Sequence, residues 1–388
     1  MRKFSAQYIF TNTGRPLKRG VVTIDGDGTV TGVEDTNGLP TEKSSIEFYN
    51  GVIVPGFVNC HCHLELSHLK GKTDAGKGLG HFIGQVMKHK ESPDDIKKAA
   101  EADVSMFREG ISLCADVCNS DATFAIKQNS QVKYINLIET FGLDVGNAQN
   151  RIDRVIRVAE TSARLGIPYN FVPHAVYSTS LPLFRLLKEL GSANCATSIH
   201  FMEARDETEL LVTNSGAIAS TYNSVGIMPL APELVKNHTD TVLNEITASG
   251  NLILVHNTFI SRHILKQVQR PNLYMCLCPA SNMYIEQHLP PVYMLTEETC
   301  NIIIGTDSLA SNHKLSIMEE LKILQCHFPA IAFEELVKWA TINGATALGE
   351  ENLFGTIEPG KKPGLVLIDG MDMENMKLKP TSFALRLI

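Results

Sequence analysis

Eight short apolar segments alternate with amphipathic stretches along the middle of this chain, and that alternation constrains its fold more than any other feature. The segments are almost continuously apolar, as expected for parallel strands that are buried on both faces. Helix-like patterns lie between them, for example over Asp94–Arg108, Arg151–Leu165 and Ser316–Gln325. The predicted strands are Gly51–Asn59, Ile111–Val117, Val132–Glu139, Pro168–His174, Ala196–Glu203, Asn251–His256, Asn272–Cys278 and Asn301–Asp307.

Eight β/α units over roughly 250 residues predict an α/β protein with a (β/α)8 TIM-type barrel. A doubly wound open sheet is the alternative architecture, and it would require a glycine-rich phosphate loop directly after the first strand. No such loop follows the first predicted strand. The glycines of Gly76–Gly80 precede no helix-opening Lys-Ser/Thr pair, so we interpret that segment as a flexible loop.

Both ends of the chain have strand-like patterns of their own. We therefore expect residues 1–50 and 355–388 to form a small composite β-domain beside a barrel domain of residues 51–354. The clearest strand-like runs at the two ends are Gln7–Thr11, Gly20–Asp25, Thr29–Glu34 and Gly364–Asp369.

Composition excludes several classes of protein. An apolar fraction of 44% and a charged fraction of 20% indicate a globular chain rather than a disordered one. A formal net charge of −7, with no local Lys/Arg cluster, argues against a nucleic-acid partner. No long uncharged apolar run predicts a transmembrane helix, and Met1–Ser5 lacks the apolar region of a signal peptide. Nine cysteines, an odd count, favour reduced thiols and a cytoplasmic location.

Histidines mark the predicted strand ends. Asp307 ends the eighth strand in the same way, and the carboxyl ends of barrel strands converge on the face where active sites lie. We therefore expect these side chains to meet. Five of the thirteen histidines lie in or at these ends: His61, His63, His174, His200 and His256.

His61 and His63 are two residues apart, so in a strand both imidazoles lie on one side and can bind one metal ion. Two packed histidines after a turn are the alternative. His200 is a candidate third ligand. Asp307 follows three isoleucines and would be poorly solvated without a nearby cation, although capping a helix is an alternative role. Three histidines and one carboxylate suffice for a mononuclear site that leaves one position for water.

Glu203 and His256 are candidate acid/base groups. Glu203 is three residues after His200, so the strand must already be turning if both side chains are to face the pocket. A carboxylic acid beside a metal-activated water suits proton transfer. A surface residue at the start of the next helix is the alternative for Glu203. His256 is interpreted as an acid/base or oxyanion-polarising residue, with metal ligation as the alternative.

Other cysteines and histidines are interpreted as structural. The strand pleat points Cys60 and Cys62 away from the histidine pair, and core packing explains Cys276 and Cys278. The histidines interpreted as surface or internally satisfied residues are His81, His89, His238, His263, His288, His313 and His327.

Together these residues resemble the amidohydrolase superfamily, in particular its cytosine-deaminase/chlorohydrolase branch. The similarity runs from about residue 50 to residue 360 in the order of the family. The stretch His63–His68 is similar to members of the aminofutalosine deaminase type, which act on an adenine-type ring. The segments that carry the resemblance are Pro55–Glu65, Pro173–Ser178, Ile199–Glu203, Val255–Asn257, Cys278–Asn282, Gly305–Asn312 and Gly355–Lys361.

The resemblance implies a (β/α)8 barrel with a β-sandwich built from both chain ends. It also implies one divalent metal ion, zinc or iron. This sequence has His174 at the end of strand four, where two-metal members have a bridging lysine, and that departure argues against a two-metal centre. The implied ligands are His61, His63, His200 and Asp307. The implied catalytic residues are Glu203 and His256, and the expected mechanism adds Asp307 to them. His174 is implied in the substrate pocket, and Glu65 and Ser308 are further expected substrate contacts.

The expected activity is hydrolytic deamination of an amino-substituted heterocycle, such as a purine or adenine nucleoside, a pyrimidine or a pterin. Metal-bound hydroxide attacks, Asp307 accepts the water proton, Glu203 protonates a ring nitrogen, and ammonia leaves. Hydrolysis of a ring halide or a cyclic amide is the alternative, and a catalytically inactive metal-binding barrel is a further one. The expected partner is a small heterocyclic molecule, with no nucleic acid and no membrane, and a homodimer is left open.

Overall fold

The computed structural model describes residues 1–39, 45–89, 92, 94–227, 246, 250–298 and 300–388. The predicted surface residue His238 lies outside these ranges. Helices and strands alternate through most of the chain, so the predicted α/β class is confirmed. None of the described helices combines the length and the apolar character that crossing a lipid bilayer requires.

The strands are numbered along the chain. They are β1 (Arg2–Ile9), β2 (Leu17–Lys18), β3 (Val21–Ile24), β4 (Val30–Glu34), β5 (Ile46–Pro55), β6 (Phe57–Cys62), β7 (Ile111–Cys118), β8 (Lys133–Thr140), β9 (Tyr169–Pro173), β10 (Ala196–Phe201), β11 (Asn251–His256), β12 (Leu273–Leu277), β13 (Asn301–Ile304), β14 (Leu365–Asp369) and β15 (Phe383–Arg386).

The α-helices lie mainly between these strands. They are Leu79–Val86, Asp94–Arg108, Phe124–Gln128, Ala148–Arg164, Leu181–Leu190, Arg205–Thr213, Gly216–Ser224, Arg262–Val268, Pro279–Glu286, Val292–Glu297, Ile317–His327, Phe333–Ala340 and Ile342–Ala347. Short 3-10 helices are Leu64–Leu69, Val145–Asn147, Val176–Ser178 and Gly191–Ala193. The three helices named from the sequence are all present, with ends that differ by at most a few residues.

The two chain ends share one mixed sheet. Its strand order is β15-β14-β5-β1-β3-β4, and β2 pairs with β1. β1 runs parallel to β5, whereas β14 is antiparallel to β5 and to β15. Phe4, Val22, Ile53 and Leu367 belong to the buried apolar cluster of this sheet. β1 to β5 and the C-terminal strands β14 and β15 are thus held together by backbone pairing.

Two four-stranded parallel sheets contain the remaining strands, in the orders β6-β7-β8-β9 and β10-β11-β12-β13. Every residue of β6, β7, β10 and β12 is buried, as the continuous apolar patterns predicted. The sheets meet at both edges. The backbone N–H of His200 donates to the carbonyl of His174 at 2.9 Å, and the N–H groups of Thr306 and Asp307 donate to the carbonyl of His61 at 3.0 Å.

The first predicted strand, Gly51–Asn59, is divided in the structure. Its beginning belongs to β5 in the sheet of the chain ends, and β6 starts at Phe57. Gly56 separates them at a crowded crossing, where a Cβ atom would overlap Oγ of Ser112. Both halves are buried in apolar surroundings, so the sign of the division in the sequence is the Pro55-Gly56 pair and not the apolar pattern.

A buried ion pair supports the turn after β6. Nζ of Lys127 lies 2.5 Å from Oδ2 of Asp116, and neither side chain is exposed. The other carboxylate oxygen of Asp116 accepts a hydrogen bond from the backbone N–H of Leu64 at 2.7 Å. Burial alone would lower the pKa of Lys127, but Asp116 and other neighbours raise it overall, so the ammonium stays charged.

Replacing Lys127 with Met should lower the free energy of unfolding by about 3–5 kcal/mol, because the Asp116 carboxylate would stay buried without a counter-charge. Denaturant titration followed by circular dichroism measures the difference. Lys98→Met is the control, since Lys98 pairs with Glu101 at 2.6 Å with both side chains about half exposed, and it should change stability little. Equal effects of the two substitutions would contradict the prediction.

Candidate functional site

The four residues predicted as metal ligands lie together at the carboxyl ends of the parallel strands. The Nε2 atoms of His61 and His63 are 3.1 Å apart. Oδ1 of Asp307 lies 3.7 Å from Nε2 of His61 and 3.5 Å from Nε2 of His63. The ring of His200 is 4.8 Å from that of His61, and one nitrogen of each of the three histidines lies within 4.8 Å of the others.

These residues fit a divalent metal ion. Zinc holds nitrogen and oxygen ligands at about 2.0–2.1 Å, which places tetrahedral ligand atoms about 3.3 Å apart, close to the spacings of His61, His63 and Asp307. Burial lowers the pKa of His63 well below its ordinary value and that of His200 to about 4, so both rings are neutral at pH 7. A neutral imidazole is the form that binds a metal.

The backbone of His174 orients the His200 ring. Nδ1 of His200 lies 2.8 Å from the carbonyl oxygen of His174, so the ring N–H donates there. The lone pair is therefore on Nε2, which is the arrangement found in metal-binding histidines.

Asn59 joins the first and last of the parallel strands beneath the ligands. Its Oδ1 accepts from the backbone N–H of Thr306 at 3.1 Å and lies 3.4 Å from that of His61. Its Nδ2 donates to Oγ1 of Thr306 at 2.8 Å. One buried carboxamide thus sets the position of His61 relative to the residue before Asp307.

Left-handed backbone occurs at three of the strand ends that carry the site. Met202, His256 and Asp307 have φ angles of +51°, +75° and +55°. Such a conformation costs a non-glycine residue of the order of 1–3 kcal/mol and clusters at functional sites. At Met202 the left-handed conformation turns the chain out of β10. The strand has therefore ended before Glu203, as the sequence analysis required for Glu203 and His200 to face the same pocket.

Glu203 lies before the helix Arg205–Thr213 and is buried. Its Oε1 is 3.6 Å from Nε2 of His256, and its backbone N–H donates to Oε2 of Glu207 at 2.9 Å. Burial, reinforced by the negative charge of Asp307, raises the pKa of Glu203 well above its ordinary value. The carboxyl group can therefore hold a proton at neutral pH.

Asn282 fixes the ring of His256. Nδ2 of Asn282 donates to Oγ1 of Thr258 at 2.8 Å and lies 3.1 Å from Nδ1 of His256. An amide NH2 group only donates, so Nδ1 accepts and Nε2 carries the ring proton. Burial lowers the pKa of His256 well below its ordinary value. His256 is thus a neutral hydrogen-bond donor beside Glu203.

Two serines hold the second oxygen of Asp307. The hydroxyls of Ser281 and Ser311 each donate to Oδ2 at 2.6 Å, and both serines are fully buried. Oδ1 is the oxygen that faces the histidines. The sequence analysis did not single out these serines, although both lie within segments that carry the family resemblance.

Two of the predicted substrate contacts lie beside the ligand cluster. The ring of His174 is 4.6 Å from that of His200, and its Nδ1 is 2.7 Å from Oγ of Ser178. Ser308 is buried, with its hydroxyl 3.5 Å from that of Ser311.

The third predicted contact, Glu65, is engaged within the protein. Its Oε1 accepts from the backbone N–H and the hydroxyl of Ser120, both at 3.0 Å. Its Oε2 accepts from the backbone N–H of Asn119 at 3.2 Å. Glu65 therefore stabilises the loop after β7 through three hydrogen bonds.

Glu139 belongs to the same neighbourhood and was missed. Its Oε1 is 3.9 Å from Nδ1 of His200, and Asn119 donates to its Oε2 at 3.1 Å. Burial raises the pKa of Glu139 to about 8. The sequence contained a signal for Glu139, because this residue ends the third predicted strand in the same way as the histidines end their strands.

The cysteines interpreted as core residues are buried. Cys60 and Cys62 in β6, and Cys276 and Cys278 at β12, are all inaccessible to solvent. Burial raises the pKa of the Cys60 thiol well above its ordinary value, so it stays protonated. A neutral buried thiol packs as a small apolar group.

The model of the amidohydrolase family matches residues 52–386. Among related proteins, 5'-deoxyadenosine deaminase of Methanosarcina mazei is 25% identical over 373 residues, which cover 91% of this chain and 80% of the relative.

Two solved structures share the overall fold. Aminofutalosine deaminase of Helicobacter pylori in complex with methylthio-coformycin has a TM-score of 0.81 at 20% identity, covering 95% of this chain and 92% of that one. Atrazine chlorohydrolase of Arthrobacter aurescens complexed with zinc has a TM-score of 0.71 at 17% identity, covering 94% of this chain and 86% of that one.

The double substitution Ser281→Ala/Ser311→Ala removes both hydroxyls that donate to Asp307. It should weaken zinc binding by about 10–100-fold, because the carboxylate loses the donors that orient it. Competition with a chromophoric chelator measures the affinity. The control is Ser162→Ala in the helix Ala148–Arg164. It removes a buried hydroxyl that donates to the carbonyl of Ile167 at 2.9 Å. Wild-type zinc affinity in the double variant would contradict the role of the two serines in orienting Asp307 as a metal ligand.

Proposed function

Because this chain belongs to the amidohydrolase family, we propose that it is a metal-dependent deaminase that removes the amino group from the adenine-type ring of a nucleoside. The relative named for 5'-deoxyadenosine and the neighbour named for aminofutalosine support this choice of substrate class. The observation that carries the proposal is the buried carboxyl group of Glu203, which lies 3.6 Å from His256 beside the four-residue ligand cluster.

The proposed architecture is one closed (β/α)8 barrel formed by β6 to β13. Hydrogen bonds at both edges of the two parallel sheets support closure. We propose a barrel domain that ends near residue 354. The β-sandwich expected of residues 1–50 and 355–388 stays a prediction, since the described strands of the two ends form one mixed sheet. The end of β5 at Pro55 supports moving the first boundary from residue 50 to residue 55.

One divalent ion, zinc with iron as the alternative, would be held by His61, His63, His200 and Asp307. When bound, it would supply a hydroxide nucleophile at neutral pH by lowering the pKa of water to about 7. The zinc in the chlorohydrolase neighbour supports the choice of metal.

Glu203 is the proposed proton donor to a ring nitrogen. Its raised pKa keeps the proton available, and protonation spares the ring a full negative charge while its carbon is attacked. His256, with its proton on Nε2, donates a hydrogen bond to the attacking oxygen. The neutral His174 ring is the proposed contact for the heterocycle, with Ser308 beside it.

The two serine hydroxyls limit the ability of Asp307 to accept a proton. Both hydrogen bonds to its Oδ2 are 2.6 Å long, and a carboxylate oxygen has about two lone-pair sites. Proton acceptance at Oδ2 therefore requires the hydroxyl of Ser281 or Ser311 to rotate away. We propose that these serines return as donors once the proton has passed to the leaving amine.

Glu203→Gln should retain the metal and lower kcat by about 10²–10⁴-fold, because the amide cannot deliver a proton. Zinc content and steady-state rates are measured on the same preparation. Glu209→Gln, on the exposed side of the following helix, is the control and should turn over at the wild-type rate. A Glu203→Gln enzyme with normal kcat would remove Glu203 from the mechanism.

The purified protein should release ammonia from an adenine nucleoside and place solvent oxygen in the product. Turnover of 5'-deoxyadenosine and methylthioadenosine in ¹⁸O-water, followed by mass spectrometry, tests both points. Unlabelled product would exclude direct attack by water. Chloride release from a halogenated ring, or opening of a cyclic amide, in the absence of ammonia would favour the alternative hydrolase. Inactivity on all classes with the metal bound would favour the inactive barrel.

A further inference from the structure

A second group of metal-binding side chains lies outside the candidate active site, at His68, His89 and Asp95. His68 lies in the last turn of the 3-10 helix Leu64–Leu69, His89 follows the helix Leu79–Val86, and Asp95 lies in the first turn of the next helix. One ligand atom from each of the three residues lies within 4.8 Å of the other two. Three separate chain segments thus converge on this point.

The donor set suits a transition-metal ion. Nε2 of His89 is 3.1 Å from Oδ2 of Asp95, and the rings of His68 and His89 are 4.0 Å apart. Two histidines and one carboxylate leave a fourth tetrahedral position for water. Tetrahedral zinc needs ligand atoms about 3.3 Å apart, so the three groups need small side-chain rotations to bind it. His89 and Asp95 are partly exposed, at 19% and 15%, and can rotate.

His68 carries an independent sign of a missing ligand. Its Nδ1 lies 2.9 Å from the carbonyl oxygen of Glu65 and 3.9 Å from Oδ2 of Asp95, so that nitrogen donates to Glu65 and Nε2 keeps its lone pair. Nε2 is buried and has no hydrogen-bond partner in the part of the chain that the structure describes. A histidine whose Nδ1–H is held by a backbone carbonyl has the tautomer of a metal ligand, and ion binding requires that Nε2 turn toward Asp95.

We propose that His68, His89 and Asp95 form a second site for a divalent transition-metal ion such as Zn²⁺, completed by water. The site is separate from the active-site ion and independent of the proposed reaction. Because His68 is five residues after His63, a bound ion ties the turn behind the catalytic histidine pair to the start of the helix Asp94–Arg108. His89, which the sequence analysis interpreted as a surface or satisfied residue, becomes a ligand.

Equilibrium dialysis of the zinc-loaded enzyme against Zn²⁺ tests the site. The wild-type protein should bind a second equivalent, and His89→Ala and Asp95→Asn should each weaken that binding by at least about tenfold. Both positions are partly exposed, so the variants should fold. His81→Ala is the matched control, since His81 pairs with Asp74 at 3.1 Å in the same region and belongs to no three-ligand group among the described residues.

Cobalt supplies a second readout that does not depend on activity. Adding Co²⁺ to the zinc-loaded wild-type enzyme should produce visible absorption of a four-coordinate ion, and His89→Ala should abolish it while kcat stays unchanged. The proposal is overturned if the wild-type protein binds no second equivalent. It is equally overturned if His89→Ala binds that equivalent as tightly as wild type, or if His81→Ala loses it to the same extent.

Discussion

The hydrogen bonds that Asn59 makes to Thr306 are the constraint on which the candidate site depends. They join residues that are 247 positions apart in the chain and hold the histidine pair against the strand that carries Asp307. Gly305 permits this approach, because a Cβ there would lie 2.7 Å from Cβ of His61. The ligand cluster therefore exists only when the first and last parallel strands are in register.

Burial in this junction gives the acid and the bases their proposed states. Removing water disfavours any charged form, so it lowers the pKa of His63 and His256 and raises the pKa of Glu203. Neutral imidazoles have lone pairs for a metal, and a neutral carboxyl group has a proton to give. One physical cause thus prepares opposite chemistry in adjacent residues, which is why both must lie in the same dry pocket.

Much of this arrangement could be predicted because it depends on local pattern. The apolar runs identify the strands, and the rule that parallel strand ends converge brings His61, His200 and Asp307 together. The division of the first predicted run at Gly56 was not predicted, because both halves are apolar although they belong to different sheets, and the turn signal Pro55-Gly56 between them was not used. The apolar pattern of a segment indicates that it is buried, but it does not indicate which hydrophobic core the segment joins.

The remaining features depend on contacts between distant segments and on backbone shape. Ser281 and Ser311 are ordinary serines in sequence, and only the fold places both at 2.6 Å from one oxygen of Asp307. Met202 and His256 adopt left-handed backbone where no glycine marks the position. Since the strain costs of the order of 1–3 kcal/mol at each residue, it persists only because the surrounding strand pairing and buried hydrogen bonds stabilise it. The sequence therefore identifies which side chains can do chemistry, whereas the packed strand ends determine the direction in which each one points.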